Sequence, residues 1–336
     1  MSELDLIRGL YPERRLDPAA RARVRGAVAA RTFERRRHRL PRRPLVPALG
    51  IAGVATIAVL AVVLTGTSAT VDAAAARVLR QAAANVRHQR SLATLGAGQY
   101  LYTKSVDRYM STVAGTRADG STWSYSALVP HVREVWLASD DTGWLHESGG
   151  EPTFLSERDH QAWIAGGRPN LGTGVSSTRL GGGPAENTRM ASLDLPSDPD
   201  LVYARIHTQA EGNANGVDAE MFTLIGDALR ENYTTPAQRA ALYEVAARLP
   251  GIQLVGRTTD ATGRPAVAVA MENGHNDLRS TLLFDPGSYA LLGEEEVLLP
   301  GNRLGYPAGT VVGNATYVEQ EVVDAVPAGV VNAAKH

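Results

Sequence analysis

The chain has 336 residues, of which 44% are hydrophobic and 21% charged, and this composition excludes a fibrous or wholly disordered protein. It contains no cysteine, which excludes disulfides, thiolate metal sites and thiol nucleophiles. The net charge of −1 hides an asymmetry, because residues 1–43 contain 13 Arg and 5 acidic residues and the rest of the chain is acidic. We interpret this division as a sign of membrane topology and predict no nucleic-acid partner.

Residues 1–43 are too few to build a hydrophobic core of their own, and we interpret them as an arginine-rich cytoplasmic arm. Ser2 and Asp17 are typical N-caps and predict two short amphipathic helices. The candidate partner-binding residues on these helices are Leu6, Ile7, Leu10, Tyr11, Val24 and Val28. The arm is either a docking segment for a regulator, such as a sigma factor, or a tail that serves topology alone, and the pattern leaves both open.

An uncharged apolar run follows the arm, and it predicts a transmembrane helix over residues 44–66. Twenty helical residues span about 30 Å, which is the thickness of the hydrocarbon core of a bilayer. The residues that would anchor this helix are Leu45, Val46, Leu49, Ile51, Val54, Ile57, Leu60, Val63 and Leu64. Two alternatives stay open: a helix buried in a soluble core, and an export signal that is cleaved near residues 71–73.

Arginines on the N-terminal side of this run set the expected orientation. The basic flank consists of Arg35, Arg36, Arg37, Arg39, Arg42 and Arg43. Because basic residues stay on the cytoplasmic side, we predict a single-pass protein of the cell membrane with its N-terminus in the cytoplasm. Residues 71–336 then form an extracytoplasmic domain.

The first half of this outer domain begins with an Ala-rich segment that predicts a helix over residues 71–90, capped by Thr70 or Asp72. Alternating apolar residues then predict strands, which begin at Tyr100, Thr122, Val132 and Thr142. Residues 165–192 are rich in Gly, Ser and Asn and predict a long mobile loop.

The second half is predicted to contain three helices followed by an antiparallel meander. Ser197 or Asp198 caps the first helix, Pro199 lies in its first turn, and Pro250 follows the third. Five strands follow between residues 252 and 323, separated by turns such as "ATGR" and "DPGS". The expected fold class is therefore α+β, with an antiparallel curved sheet packed on helices.

No motif in the chain predicts catalysis, a cofactor or a metal site. The eight histidines are scattered, H-E-x-x-H and G-x-S-x-G are absent from the sequence, and we predict that the protein is not an enzyme. Glu294 and Glu296 share one face of a predicted strand, which we interpret as a solvated acidic edge. A set of aromatic residues is interpreted as core, with the lining of a ligand cavity as the alternative. These are Tyr100, Tyr102, Tyr109, Trp123, Tyr125, Trp136 and Trp144.

Two resemblances bear on function. The segment "LLFDPGSYALLGEE" resembles the half-barrels of the MucB/RseB and lipoprotein-carrier type. The layout as a whole, with "GQYLYTKS", "REVWLASDDTG" and "FTLIGDALRE", resembles an uncharacterised actinobacterial family of single-pass membrane proteins often encoded beside extracytoplasmic-function sigma factors. The resemblance implies an envelope sensor or regulator with an unidentified ligand or protein at its outer domain. A membrane-tethered lipid or lipoprotein carrier and a passive envelope protein are the alternatives.

Overall fold

A computed structural model describes residues 70–88, 95–116, 120, 122–181 and 195–334 of the chain. The predicted cytoplasmic arm and transmembrane helix lie outside these residues, together with every arm, anchor and flank residue named above. Among the described residues, no helix is long and apolar enough to cross a membrane.

The described residues form helices and strands in the mixed order expected of an α+β domain. In chain order these are α1 (Ala73–Val86), β1 (Tyr100–Thr116), β2 (Thr122–Leu137), β3 (Gly143–Gly149), β4 (Thr153–Phe154), α2 (Glu157–Ala165), β5 (Gly174–Leu180), α3 (Pro199–Ala210), α4 (Val217–Glu231), α5 (Pro236–Ala246), β6 (Ile252–Thr259), β7 (Pro265–Asn273), β8 (Leu278–Phe284), β9 (Leu291–Leu298), β10 (Val311–Val323) and α6 (Ala328–Ala333).

All the strands belong to one antiparallel sheet. Its order is β5-β3-β2-β1-β10-β9-β8-β7-β6, and β4 pairs with β2 beside this path. The pairing of β1 with β10 joins the N-terminal strands to the C-terminal meander. The N-terminal and C-terminal strands therefore form one continuous surface, although the helices α3, α4 and α5 separate them in sequence.

The main hydrophobic core lies between the helices α1, α3, α4 and α5 and one face of the sheet, which we call the helix-side face. Tyr243 on α5 packs edge to face against Phe284 on β8, with ring centroids 5.6 Å apart. On the opposite face, α6 contributes Val330 to a second cluster with Tyr102 and Trp136. The two halves of the sheet are thus covered on opposite sides.

Asp72 shows how local capping is tied to the sheet. Its Oδ1 accepts hydrogen bonds from the backbone N–H groups of Ala74 and Ala75, at 2.7 and 3.3 Å, which caps α1. Its Oδ2 accepts from the N–H of Leu254 on the edge strand β6, at 2.9 Å. The bond from Leu254 is the main cause of the lowered pKa of Asp72. One carboxylate therefore caps the helix and also satisfies a donor of the sheet edge.

The structure confirms most of the predicted elements. Asp72 and Asp198 are the N-caps of α1 and α3, and the three central helices and the five-stranded meander are present. It corrects two predictions. The strands expected to begin at Thr122 and Val132 form the single strand β2, which contains Pro130, a residue with no N–H to donate. The loop predicted over residues 165–192 contains β5, whose Ser and Thr residues pair with β3 at the sheet edge.

Candidate functional site

The strand register aligns titratable residues on the helix-side face. Leu282 of the core lies opposite Glu294 on β9, which lies opposite Ala315 on β10. Ala315 in turn lies opposite Asp107 on β1. Because directly opposed residues share a face, Glu294 and Asp107 lie on the same face as the core.

Around these two carboxylates lies a set of charged and phenolic side chains that we call the charged row. Its members are Asp107, Tyr109, Arg133, Glu147, Asp227, Arg230, Glu294 and Glu296. It contains five carboxylates and two guanidinium groups. Full ionisation would therefore give the row an excess of negative charge.

The first part of the charged row crosses three strands. Arg133 on β2 pairs through Nε with Glu147 Oε1 on β3 at 3.0 Å, and through Nη1 with Asp107 Oδ2 on β1 at 3.5 Å. Asp107 is only 1% exposed, and its Oδ1 has no hydrogen-bond partner among the described residues. Burial raises the pKa of Asp107, although Arg133 opposes this effect.

The second part joins the sheet to helix α4. Arg230 pairs with Glu294 and, through Nη2, with Asp227 Oδ1 at 2.6 Å. The Tyr109 hydroxyl donates to Glu294 Oε1 at 2.8 Å and lies 3.4 Å from Arg230 Nη1. One turn before Arg230, the small residue Gly226 lies above the Glu294 carboxylate, and a Cβ built on it would be 3.5 Å from Oε2.

Burial disfavours the ionised forms of the acid groups at this end of the charged row. It raises the pKa of Glu296, against the effect of Arg230, and it also raises the pKa of the Tyr109 hydroxyl. The ends of the row are more open, since the side chains of Glu147 and Asp227 are 25% and 32% exposed. The arrangement is therefore suited to accept a cationic group that approaches from solvent.

The sequence predicted part of this arrangement. Glu294 and Glu296 do share a face, but the expectation that they are solvated is wrong, since the side chain of Glu294 is 14% exposed and is paired with Arg230. The pattern missed Asp107 and Arg230. A usable signal was present for Asp107. It follows Leu101 in β1 at an even spacing, and because side chains alternate along a strand, it lies on the same face as that buried residue.

The aromatic residues do not line a common cavity. Tyr102 and Trp136, whose ring centroids are 5.1 Å apart, pack on the face opposite to the charged row. Trp123 and Tyr125 stack on each other at 5.6 Å on the helix-side face. Tyr102, Tyr125 and Trp136 are all at least nine-tenths buried, which agrees with their interpretation as core. Within the part of the chain that the structure describes, no group of three or more His, Asp or Glu side chains could hold a metal ion.

No protein-family model and no curated protein matches the chain. Among solved structures, it is similar to a chain from the complex structure of Pseudomonas aeruginosa MucA/MucB, with 14% identity over 76% of this chain and 59% of that chain and a TM-score of 0.25. It is also similar to a chain from the crystal structure of MucB in complex with MucA(peri), with 12% identity over 76% of this chain and 57% of that chain and a TM-score of 0.24.

Both neighbours come from structures that contain MucB, the protein whose half-barrel the segment at residues 282–295 resembles. The chain spans less than two thirds of the length of either one.

Proposed function

We propose that this chain is a single-pass regulator of the bacterial cell envelope whose outer domain binds a partner protein through the charged row. The observation that carries the proposal is the excess of carboxylates over guanidinium groups on the helix-side face, where Asp107 is buried and Glu147 is accessible. A Lys or Arg side chain of the partner would offset this excess by charge-assisted hydrogen bonds.

The N-terminal sequence supports the regulatory part of the proposal. The arginine flank and the apolar run at residues 44–66 would place the outer domain outside the cell and the arm inside it. A partner bound outside would then influence what the arm binds in the cytoplasm, and a sigma factor is the candidate there. The lipid-carrier alternative has no comparable observation in its favour, since the aromatic side chains lie on both faces of the sheet.

Binding of a basic peptide tests the outer site. We expect the full chain to bind a decapeptide of alternating Lys and Thr, with an affinity that falls as salt is added, because partly exposed charges are screened. Glu147→Gln should weaken binding about tenfold, which corresponds to about 1.4 kcal/mol. Fluorescence anisotropy of a labelled peptide measures both effects.

The matched control is Glu244→Gln. Glu244 is 29% exposed and paired with Arg87, so it resembles Glu147 in exposure but lies outside the charged row. This variant should bind the peptide as the unsubstituted chain does. Equal losses in the two variants, or equal binding of a Gln-Thr decapeptide, would show that the charged row is not the binding site.

Capture of a sigma factor tests the inner arm. We expect the full chain to retain a sigma factor that mass spectrometry identifies, and Leu10→Asp or Val24→Asp to abolish retention because each places a charge on a predicted apolar helix face. Glu13→Gln, which leaves both faces intact, serves as the control. A chain that retains no sigma factor contradicts the regulatory proposal, while the peptide experiment still decides on the outer site.

A further inference from the structure

Strands β9 and β10 separate at one end of the sheet. Their pairing ends where Gly293 lies opposite Thr316, yet β10 continues to Val323, paired with β1 alone. Arg264 occupies the point of separation, where its Nη2 donates to the Tyr317 carbonyl at 2.8 Å and to the Leu292 carbonyl at 3.4 Å. A side chain thus takes the place that strand pairing would otherwise fill.

A cleft of about 260 Å³ lies at this separation, and we call it the β9–β10 cleft. It is bounded by residues 317–320 of β10, by residues 290–292 at and just before the start of β9, by Arg239 and Tyr243 of α5, and by Arg264. Val318 is 49% exposed at the rim, whereas Arg239 and Tyr243 are each 2% exposed. The cleft therefore has an open strand edge and a buried floor.

Arg239 is an unusual residue for such a floor. Its guanidinium group also interacts with the Tyr243 hydroxyl, and its Nη2 donates to the Leu229 carbonyl at 3.3 Å, near the C-terminus of α4. Its buried Nε has no hydrogen-bond partner among the described residues. No described carboxylate forms an ion pair with it at 4.0 Å or less. The dipole of α4 offsets only about half a unit charge. Buried charges in proteins are normally paired, so the remaining positive charge points to an anionic occupant.

The surroundings select among anions. Arg264 adds little free positive charge to the cleft, because its Nε pairs with Asp260 Oδ2 at 2.6 Å. Glu319 lies at the rim and is exposed. One buried cation facing a rim carboxylate favours a monoanion over a dianion, and therefore a carboxylate over a phosphate.

We propose that the β9–β10 cleft binds a carboxylate of an extended polypeptide through Arg239. The polypeptide lies along β10 from Val318 to Gln320, beyond the Tyr317 carbonyl that Arg264 already occupies, and its backbone extends the sheet locally. The carboxylate forms charge-assisted hydrogen bonds with the guanidinium group. This site takes an anionic group and does not depend on the charged row.

NMR spectroscopy of the arginine side chains tests the proposal. The full chain, labelled with ¹⁵N at arginine Nε and kept in solution by a mild non-ionic detergent, is titrated with the pentapeptide Thr-Val-Thr-Val-Val as the free acid and as the amide, and with an amidated analogue that carries one internal Glu. The Nε–H resonance of Arg239, assigned by its loss in Arg239→Gln, should shift with a carboxylate-bearing peptide. The amide without Glu should bind at least about tenfold more weakly.

The acid and Glu-bearing peptides distinguish a terminal from a side-chain carboxylate, and a response to either supports the proposal. Equal responses to the plain amide and to both carboxylate-bearing peptides, or no shift with any peptide, would show that Arg239 serves only to cap α4. A shift at lower concentrations of inorganic phosphate than of peptide would overturn the assignment to a carboxylate.

Substitutions provide an independent readout. Arg239→Gln should abolish the preference for carboxylate-bearing peptides over the plain amide, and Arg239→Lys should restore part of it. Arg248→Gln is the control for loss of an arginine elsewhere, since Arg248 lies outside the cleft, is 43% exposed and pairs with Asp200. Retention of the preference in Arg239→Gln overturns the proposal. If this variant unfolds, the comparison of the carboxylate-bearing peptides with the plain amide on the unsubstituted chain still tests the proposal.

Discussion

Replacement of Arg230 by Met is expected to lower the free energy of unfolding by about 3 to 5 kcal/mol, because removal of one partner leaves buried charge without compensation. Arg230 contacts both Asp227 and Glu294, and the side chains of Arg230 and Glu294 are 20% and 14% exposed. The Met side chain preserves much of the apolar stem, so the loss of charge accounts for most of the effect. Urea unfolding of the full chain, followed by tryptophan fluorescence, measures it.

The loss should depend on pH in a defined direction. Arg230 opposes the burial that raises the pKa of Asp107 and Glu296, so its removal raises the pKa of both carboxyls further. A carboxyl whose pKa is raised by folding contributes stability below its unfolded pKa, about 4, and loses it as pH rises toward the folded value. The difference between variant and unsubstituted chain should therefore be large at pH 7 and smaller at pH 4.

Arg248→Met is the control for this experiment. The pair between Arg248 and Asp200 is exposed, at 43% and 83% of the two side chains, and such pairs contribute at most about 1 kcal/mol. If both variants lost the same free energy, or if the loss from Arg230→Met were equal at pH 7 and pH 4, the charged row would not be a desolvated network.

Local signals explain which parts of the fold the sequence predicted. Thr235 and Gln238 form a complete capping box at the start of α5, and Asp198 with Pro199 fixes the start of α3. Such signals involve neighbours in the chain, so the sequence contains all their partners. The α+β class followed from these helices together with the meander, which the strand patterns and turn residues between residues 252 and 323 predicted. The transmembrane helix over residues 44–66 stays a prediction.

The remaining features depend on contacts that are distant in sequence. β5 has a polar composition typical of loops and becomes a strand only because β3 offers it a partner at the sheet edge. The charged row requires the registers of β1, β2, β3, β9 and β10 together with the placement of α4. No local pattern specifies that Arg230 crosses to Glu294, 64 residues away. Sequence reasoning therefore described Glu294 as solvated.

The two candidate sites have complementary charge preferences. In the charged row, α4 supplies Arg230 against an excess of carboxylates, which leaves a preference for cations. In the β9–β10 cleft, α5 supplies Arg239 with no carboxylate paired to it among the described side chains, which leaves a preference for anions. A polypeptide with a basic residue and a carboxylate would satisfy both preferences, and like-charged partners would be disfavoured at one of them.

Gly293 connects the two sites, because it lies next to Glu294 of the charged row and at the last pair before β9 and β10 separate. A Cβ at this position would lie 2.1 Å from the carbonyl oxygen of Ala315, and this clash with backbone can be relieved only by moving a strand. Gly293→Ala is therefore expected to lower the free energy of unfolding by about 2 to 4 kcal/mol. It should also weaken the preference of the cleft for the acid peptide over its amide, since the strand separation that shapes the cleft begins here.

The matched control is Gly274→Ala, in the turn between β7 and β8, where a Cβ would meet no atom within 4 Å. We expect this variant to unfold within about 0.5 kcal/mol of the unsubstituted chain and to keep its peptide preference. A Gly293→Ala variant as stable as Gly274→Ala would contradict the close approach of β9 to β10. A variant that lost stability but kept the full preference for the acid would instead show that the cleft does not depend on where the two strands separate.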